Sequence, residues 1–259
     1  MSEETIKMTV NSYQTLLRME DLLSKLVPTE MCAKRLIRLF YAELAKNPTL
    51  NKCSTESICG SIMSCAQLGL EPGMAGMVYL IPRDNKVTLM LGYKGMIDLS
   101  YRSDKITAIE ATCVYEKDEF SMKRGTSPQI EHTPFINGDR GRFVGVYSVV
   151  TMKNSYKQFD FMTAHEIQHV RQITRTMNST AWINYFDEMA KKTVIRRLLK
   201  LVPSSISCQH AIALDEEQEM GIQDMSKVIE GTFEVENNKN VVDISKSQSD
   251  RLADKLGEN

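Results

Sequence analysis

An α+β fold with an acidic C-terminal appendage is what this sequence predicts, and three observations carry it. Apolar residues recur at helical spacing through residue 68. From Met77 to Met162 the spacing shortens to that of strands, with one short helix between them, and from residue 163 it is helical again. After residue 213 the charge turns negative and apolar content thins. The 259 residues carry 32 Lys and Arg against 33 Asp and Glu, a net of −1. Leu214 to Asn259 holds twelve acidic and five basic residues, a net of −7, which leaves +6 on residues 1–213. A basic body favours polyanionic partners; an acidic tail can solubilise, mask the body or contact a partner. The expected division is therefore a core over 1–213 and a largely flexible tail over 214–259, with a short helix at 248–257.

The elements follow in order. Leucines and charges mark a helix over 11–26, interrupted by Pro28. "TEMCAKRLIRLFYAELAK", 29–46, is a second, ended by Asn47-Pro48. A third follows Ser54 as cap, runs to Leu68 and stops at Gly69. "MVYLIPRDNKVTLML" holds two extended runs around Asp84-Asn85, a hairpin signal. "GYKGMIDLSYRS" is a short helix by composition. Residues 105–116 and 142–153 are strands, and "YKQFDFM" pairs with the latter as a hairpin. "SPQIEHTPFINGDRG" reads as loop from its Pro, Gly and Asn. A break at Met177-Asn178 leads into the longest helix, 179–202, stopped by Pro203.

Several classes are excluded. No run of 18 apolar residues exists, so no membrane span is expected. The N-terminus lacks the pattern of a signal peptide. Six cysteines stand without a CxxC, which signals neither a thiolate zinc site nor a redox dithiol and makes the cytoplasm the natural compartment. No GxxxxGK[ST] occurs, so ATP hydrolysis of the P-loop kind is not expected.

"HEIQH", 165–169, matches the zinc-peptidase pattern H-E-x-x-H. His165 and His169 share a helix face, Glu166 would be the base, and Glu188 is the best-placed third ligand. Against this, Thr163 and Glu166 form a capping box, Arg171 puts a charge on the same helix, and Glu188 can pair with Lys192 four residues on. An ordinary capped helix is the preferred reading.

The helix "STAWINYFDEMAKKTVIRRLLKLVP" carries more information. At the helical period its Val, Ile and Leu side chains fill one arc, while Lys192, Arg196, Arg197 and Lys200 fall on the other with Trp182, Tyr185 and Phe186. Such a stripe can hold phosphates by charge and stack on bases; the plainer alternative is a packed aromatic patch and a solvated charged face. Lys191 stands inside the apolar arc and needs a partner such as Asp187, or must snorkel. "LGYKG", 91–95, ends a strand and opens a helix. Its glycines permit close approach by a backbone or ligand, Tyr93 offers a ring and Lys94 a phosphate contact; Arg102 and Lys105 follow.

"GLEPG" (69–73), "MVYLIP" (77–82), "LMLGYKGMIDLSYRS" (89–103), "VYEKDEF" (114–120), "P.IEH.P" (128–134) and "FDEMAKKTVIRRLLKLVP" (186–203) stand in the order and spacing of the RecT family of phage and prophage single-strand annealing recombinases. The chain resembles that family over roughly 10–210. The resemblance implies a small twisted antiparallel sheet packed with helices, the long helix backing or lining a positive groove. It implies annealing of complementary DNA strands without ATP, assembly into a ring or helical filament, and a partner 5′-to-3′ exonuclease. The host single-strand binding protein is a further candidate partner of the tail. Carried over by position, Tyr93, Lys94, Arg102, Lys192, Arg196 and Arg197 are DNA-contact candidates, beside Lys105, Trp182 and Lys200 chosen for charge or ring. No cofactor is required on this reading, with magnesium left open as a modulator. The rivals are a zinc peptidase through His165, Glu166 and His169 and a passive single-strand binding protein.

Overall fold

The computed structural model describes residues 14–73, 76–175 and 177–230. The helical N-terminal part contains α1 (Glu20–Leu26), α2 (Ala33–Lys46), a 3₁₀ turn (Pro48–Lys52) and α3 (Thr55–Leu68). Its boundaries are set by local chemistry. Asn47 ends α2 and caps the 3₁₀ turn by accepting from the Thr49 amide. The Ser54 side chain accepts from the Ser57 amide at 3.3 Å and starts α3. Gly69 ends it in the left-handed region, φ 63°, with the Leu70 amide bonded back to the Cys65 carbonyl. α3 is buried on nearly every side. A Cβ at Gly60 would stand 1.8 Å from the Met225 carbonyl oxygen, so glycine lets the chain near residue 225 lie directly on the helix.

The hairpin β1 (Val78–Arg83) and β2 (Lys86–Leu91) pairs Arg83 with Lys86 across Asp84 and Asn85, both at positive φ. This is the type I′ turn that Asp-Asn predicts. α4 (Tyr93–Tyr101) follows. β3 (Ile106–Tyr115), β6 (Phe143–Met152) and β7 (Lys157–Thr163) form an antiparallel sheet in the order β3-β6-β7. Between β3 and β6 stands a second hairpin, β4 (Glu119–Lys123) with β5 (Gln129–Thr133). The segment read as loop thus contains a strand. The architecture is α+β; among the described residues three small antiparallel sheets, none of them closed, pack with helices.

The rest is α5 (Ala164–Ile173), α6 (Thr180–Asn184), α7 (Phe186–Leu199), α8 (Ile206–Met220) and α9 (Lys227–Glu230). The helix expected as one piece over 179–202 is two, because Tyr185 leaves helical geometry at φ −130°, ψ 45°. α7 stands between two apolar cores. Its Ile195, Leu198 and Leu199 join the core built by α2, α3, the β1–β2 hairpin, α4 and α8. Its Ala190 and Val194 join Cys113, Val146 and Trp182 against the three-stranded sheet. Burying one such aliphatic side chain contributes about 1.5–3 kcal/mol, so α7 cannot shift without disturbing both cores.

Residues 214–229, read from their acidity as the start of the tail, are folded. α8 continues to Met220, Asp215 and Glu219 are buried, and one compact unit runs to Ile229. The expectations for 231–245 and 248–257 lie outside the described residues. No helix among the described residues is long and apolar enough to cross a membrane. Of the six cysteines, Cys32 is exposed and five are buried, all as free thiols. Burial pushes the thiol of Cys59 up to about 11 and those of Cys65 and Cys113 up to about 12.

Candidate nucleic-acid interface

A groove runs between the β1–β2 hairpin and the wall made by α6, α7 and α8. Its widest part, about 530 Å³, lies between Tyr79 and Met90 of the hairpin, Tyr93 and Lys94 of α4, and Ala181, Tyr185 and Met189 opposite. Met90, Ala181 and Met189 also line the next stretch, where Ile81 and Arg83 face Gln218 and Glu219. Arg83 and Gln218 continue into a recess beside the hairpin turn. Strand alternation explains the hairpin wall: Val78 and Leu80 point into the core, so Tyr79, Ile81 and Arg83 share the other face. The helix break at Tyr185 leaves that ring 62 % exposed, opposite Tyr79 at 43 %. The groove therefore offers exposed rings and an apolar floor. Gly92 and Gly95 serve a backbone and not a ligand: a Cβ at either would meet the carbonyl of Gly76 at 2.0 Å or of Met77 at 2.6 Å.

The residues anticipated for DNA contact divide sharply. Tyr93 lines the groove; burial and a hydrogen bond to Glu188 raise its phenol above the ordinary value. Lys94 is exposed at the groove's edge. Arg102 instead closes the C-terminus of α3, donating to the carbonyls of Leu68 at 2.9 Å and Gly69 at 2.8 Å while paired with Asp98. Lys105 is exposed just before β3, away from the groove lining. Trp182 is 1 % exposed, its ring beside Phe186, and offers no free face.

The basic stripe of α7 is corrected by burial at two of its positions and by ion pairing at all four. Lys192 and Arg196 are 4 % and 7 % exposed. Lys192 lies 2.7 Å from Asp215, and Arg196 lies 2.7 Å from both Asp215 and Glu219. Arg197 reaches the Phe161 carbonyl at 2.7 Å and Glu166 at 2.9 Å and pairs with Asp160; Lys200 pairs with Glu216. The carboxylates of α8, β7 and α5 thus compensate the four cations, which together make no open positive face. Lys191 pairs with Glu188 at 2.9 Å and not with Asp187, which accepts from the Tyr115 hydroxyl. Burial opposes ionisation of Glu188, yet the Lys191 and Tyr93 hydrogen bonds hold its carboxyl below the ordinary range.

The H-E-x-x-H helix is a capped helix in detail. The Thr163 amide donates to Glu166 at 2.8 Å, the Glu166 amide donates to the Thr163 hydroxyl at 3.2 Å, and Arg197 holds the remaining carboxylate oxygen. Against burial, these bonds draw the Glu166 carboxyl down to about 2. His165 and His169 are exposed, Glu188 is engaged in the groove, and no three His, Cys, Asp or Glu among the described residues are grouped to hold a metal. Glu188, the third ligand the sequence offered, is instead engaged with Lys191.

Three groove-lining residues were not singled out from the sequence: Tyr79, Arg83 and Gln218. The first two were legible as one face of β1; Gln218 was hidden because its segment read as tail.

The fold and groove define an α+β protein with a ring-lined groove. The RecT family profile matches residues 34–230. Protein RecT of Escherichia coli strain K12 is 40 % identical over 230 residues, 85 % of each chain. The uncharacterized protein YqaK of Bacillus subtilis strain 168 is 25 % identical over 216 residues, 82 % of this chain and 72 % of its own. The class is that of single-strand annealing recombination proteins. This chain belongs to the RecT family.

Proposed function

We propose that the protein binds one DNA strand along the groove and pairs it with its complement without ATP. The observation that carries this is that the family match over 34–230 spans both walls, the hairpin at 78–91 and the helices at 180–220. Annealing needs no nucleophile or acid–base pair. It needs a strand held extended without regard to sequence, which stacking on rings and contacts to phosphate provide. Copies of the chain extend the groove as a ring or filament, and the strand comes from a 5′-to-3′ exonuclease. The host single-strand binding protein is a candidate contact for the segment after residue 230. No cofactor is required on this reading, and magnesium is a candidate modulator.

The test mixes chelator-treated protein with a labelled strand, without ATP, then adds the complement and times duplex formation. Pairing faster than in protein-free DNA is expected, as is steep loss of strand binding between about 50 and 200 mM salt. Binding without acceleration reduces the protein to a passive strand binder. Tyr79→Ala with Tyr185→Ala should remove about 1–3 kcal/mol of binding per stacked base, read as weaker affinity for every sequence alike. Unchanged affinity would move the strand away from this groove.

A further inference from the structure

The recess at the hairpin turn holds donors that the protein itself leaves unused. Arg83, Lys86 and Arg175 converge there with Asp84 and Asp224. Arg175 pairs with Asp84 and Lys86 with Asp224, each at 2.7 Å; the first pair is exposed on both sides, whereas Asp224 is part-buried and also accepts from Ser226. The exposed Arg175–Asp84 pair contributes little and exchanges readily. Arg83 is different: its Nη1 is buried and has no hydrogen-bond partner among the described residues. Behind it, Gln218 is 1 % exposed and its Nε2 likewise has no partner. Buried donors left unmade carry a desolvation cost, and two of them, one on Arg83 itself, lining one open recess with two further cations form a site that an anion completes.

Resting on the groove reading above, we propose that this recess binds a phosphodiester group of the bound strand, with Arg83 as the charged contact and Gln218 as a neutral one. Arg175 adds to the positive field by exchanging Asp84 for the phosphate, while Lys86 stays paired with Asp224. Arg83 follows Tyr79 by four residues on the same strand face, about 13 Å along the chain. A base stacked on Tyr79 and a phosphate at Arg83 therefore belong to different nucleotides, so the hairpin fixes the strand at two points. Such contacts position a strand without reading it.

Two readouts on the full chain test this: the salt dependence of oligonucleotide binding, and calorimetric titration with pyrophosphate. Arg83→Gln should make the log–log salt slope shallower by about 1 and abolish pyrophosphate binding. Arg83→Lys should keep the slope. Gln218→Leu should weaken both ligands without changing the slope. Because the donors lack partners in the protein, melting temperatures should stay within a degree or so of the parent; a variant that unfolds is replaced by Arg83→Lys with Gln218→Leu, judged on affinity. An unchanged slope and unchanged pyrophosphate binding in Arg83→Gln overturn the proposal while leaving annealing intact. Pyrophosphate binding that needs Arg83, beside strand binding that does not, assigns the recess to a free anion and overturns the phosphodiester. Failure of the parent protein to bind any strand removes the groove reading itself, and the proposal with it.

Discussion

Replacing Asp215 by Ala should destabilise the protein by about 3–5 kcal/mol, the range for removing one member of a buried ion cluster. Asp215 is fully buried; it accepts from Lys192 and Arg196 and also from the Leu91 amide at 3.2 Å. Its loss leaves two cations in a low-dielectric interior with Glu219 alone to answer them, and it unpairs the end of β2. Lys192, Arg196, Asp215 and Leu91 link α7, α8 and the hairpin, so the damage is shared by both walls of the groove. Urea denaturation followed by far-ultraviolet circular dichroism measures it, and a loss below about 1 kcal/mol would show that the cluster is open to water. The cluster also changes how charge reversal on α7 is to be read. Arg196→Glu with Arg197→Glu sets new carboxylates against Asp215, Glu219, Asp160 and Glu166, so weaker strand binding in that variant reports unfolding before it reports a lost phosphate contact.

The second large effect is expected at Asp118, whose side chain has no exposed surface. One oxygen accepts from the Phe135 amide and Arg140 Nε, both at 2.9 Å; the other accepts from the Tyr115 amide at 2.8 Å, from Arg140 and from His132. A proton on His132 Nε2 serves Asp118 and leaves Nδ1 to accept from the Tyr147 hydroxyl at 3.2 Å, a tautomer assigned from the network. The carboxylate thus ties β3, the β4–β5 hairpin and the chain before β6 at one point. Asp118→Ala should cost about 3 kcal/mol, since the lost bonds are charge-assisted and Arg140 loses its carboxylate while keeping the Cys113 carbonyl. Hydrogen exchange should rise in 119–142 and stay slow in α3. Uniform exchange across both would assign the residue a global role instead. Arg140 holds the Asp118 carboxyl well below the usual range. The folded value is depressed, so this stability is fully present above about pH 4 and is lost as pH falls through the folded value. Asp118→Asn should flatten that acid limb.

The features legible in the sequence were those decided within a few residues. Ser54, Gly69 and the Thr163–Glu166 box set helix ends through neighbours three or four positions away, and Asp84-Asn85 forced a turn through its own backbone. What escaped was decided at long range. β5 hides in a Pro- and Gly-rich segment because its hairpin is anchored by Asp118 and by Arg140, 22 residues further on. Tyr185 breaks a helix with neither Pro nor Gly to announce it. The fate of the α7 cations depended on partners such as Asp215 and Glu219, 23 residues from Lys192 and Arg196 respectively. The helical period correctly separated α7's aliphatic arc from its charged one, but periodicity cannot tell solvent from a buried carboxylate.

The distribution of thiols has a practical consequence. Five cysteines are enclosed, and Cys65 and Cys113 in particular hold their protons to about pH 12, while Cys32 stands exposed just before α2. A thiol reagent near neutral pH attacks as far as thiolate and access allow. The native chain therefore carries one addressable sulfur, and a single dye or spin label can be placed at the start of α2 without any substitution. In the assembly proposed above, distances between labels on neighbouring copies would report their spacing.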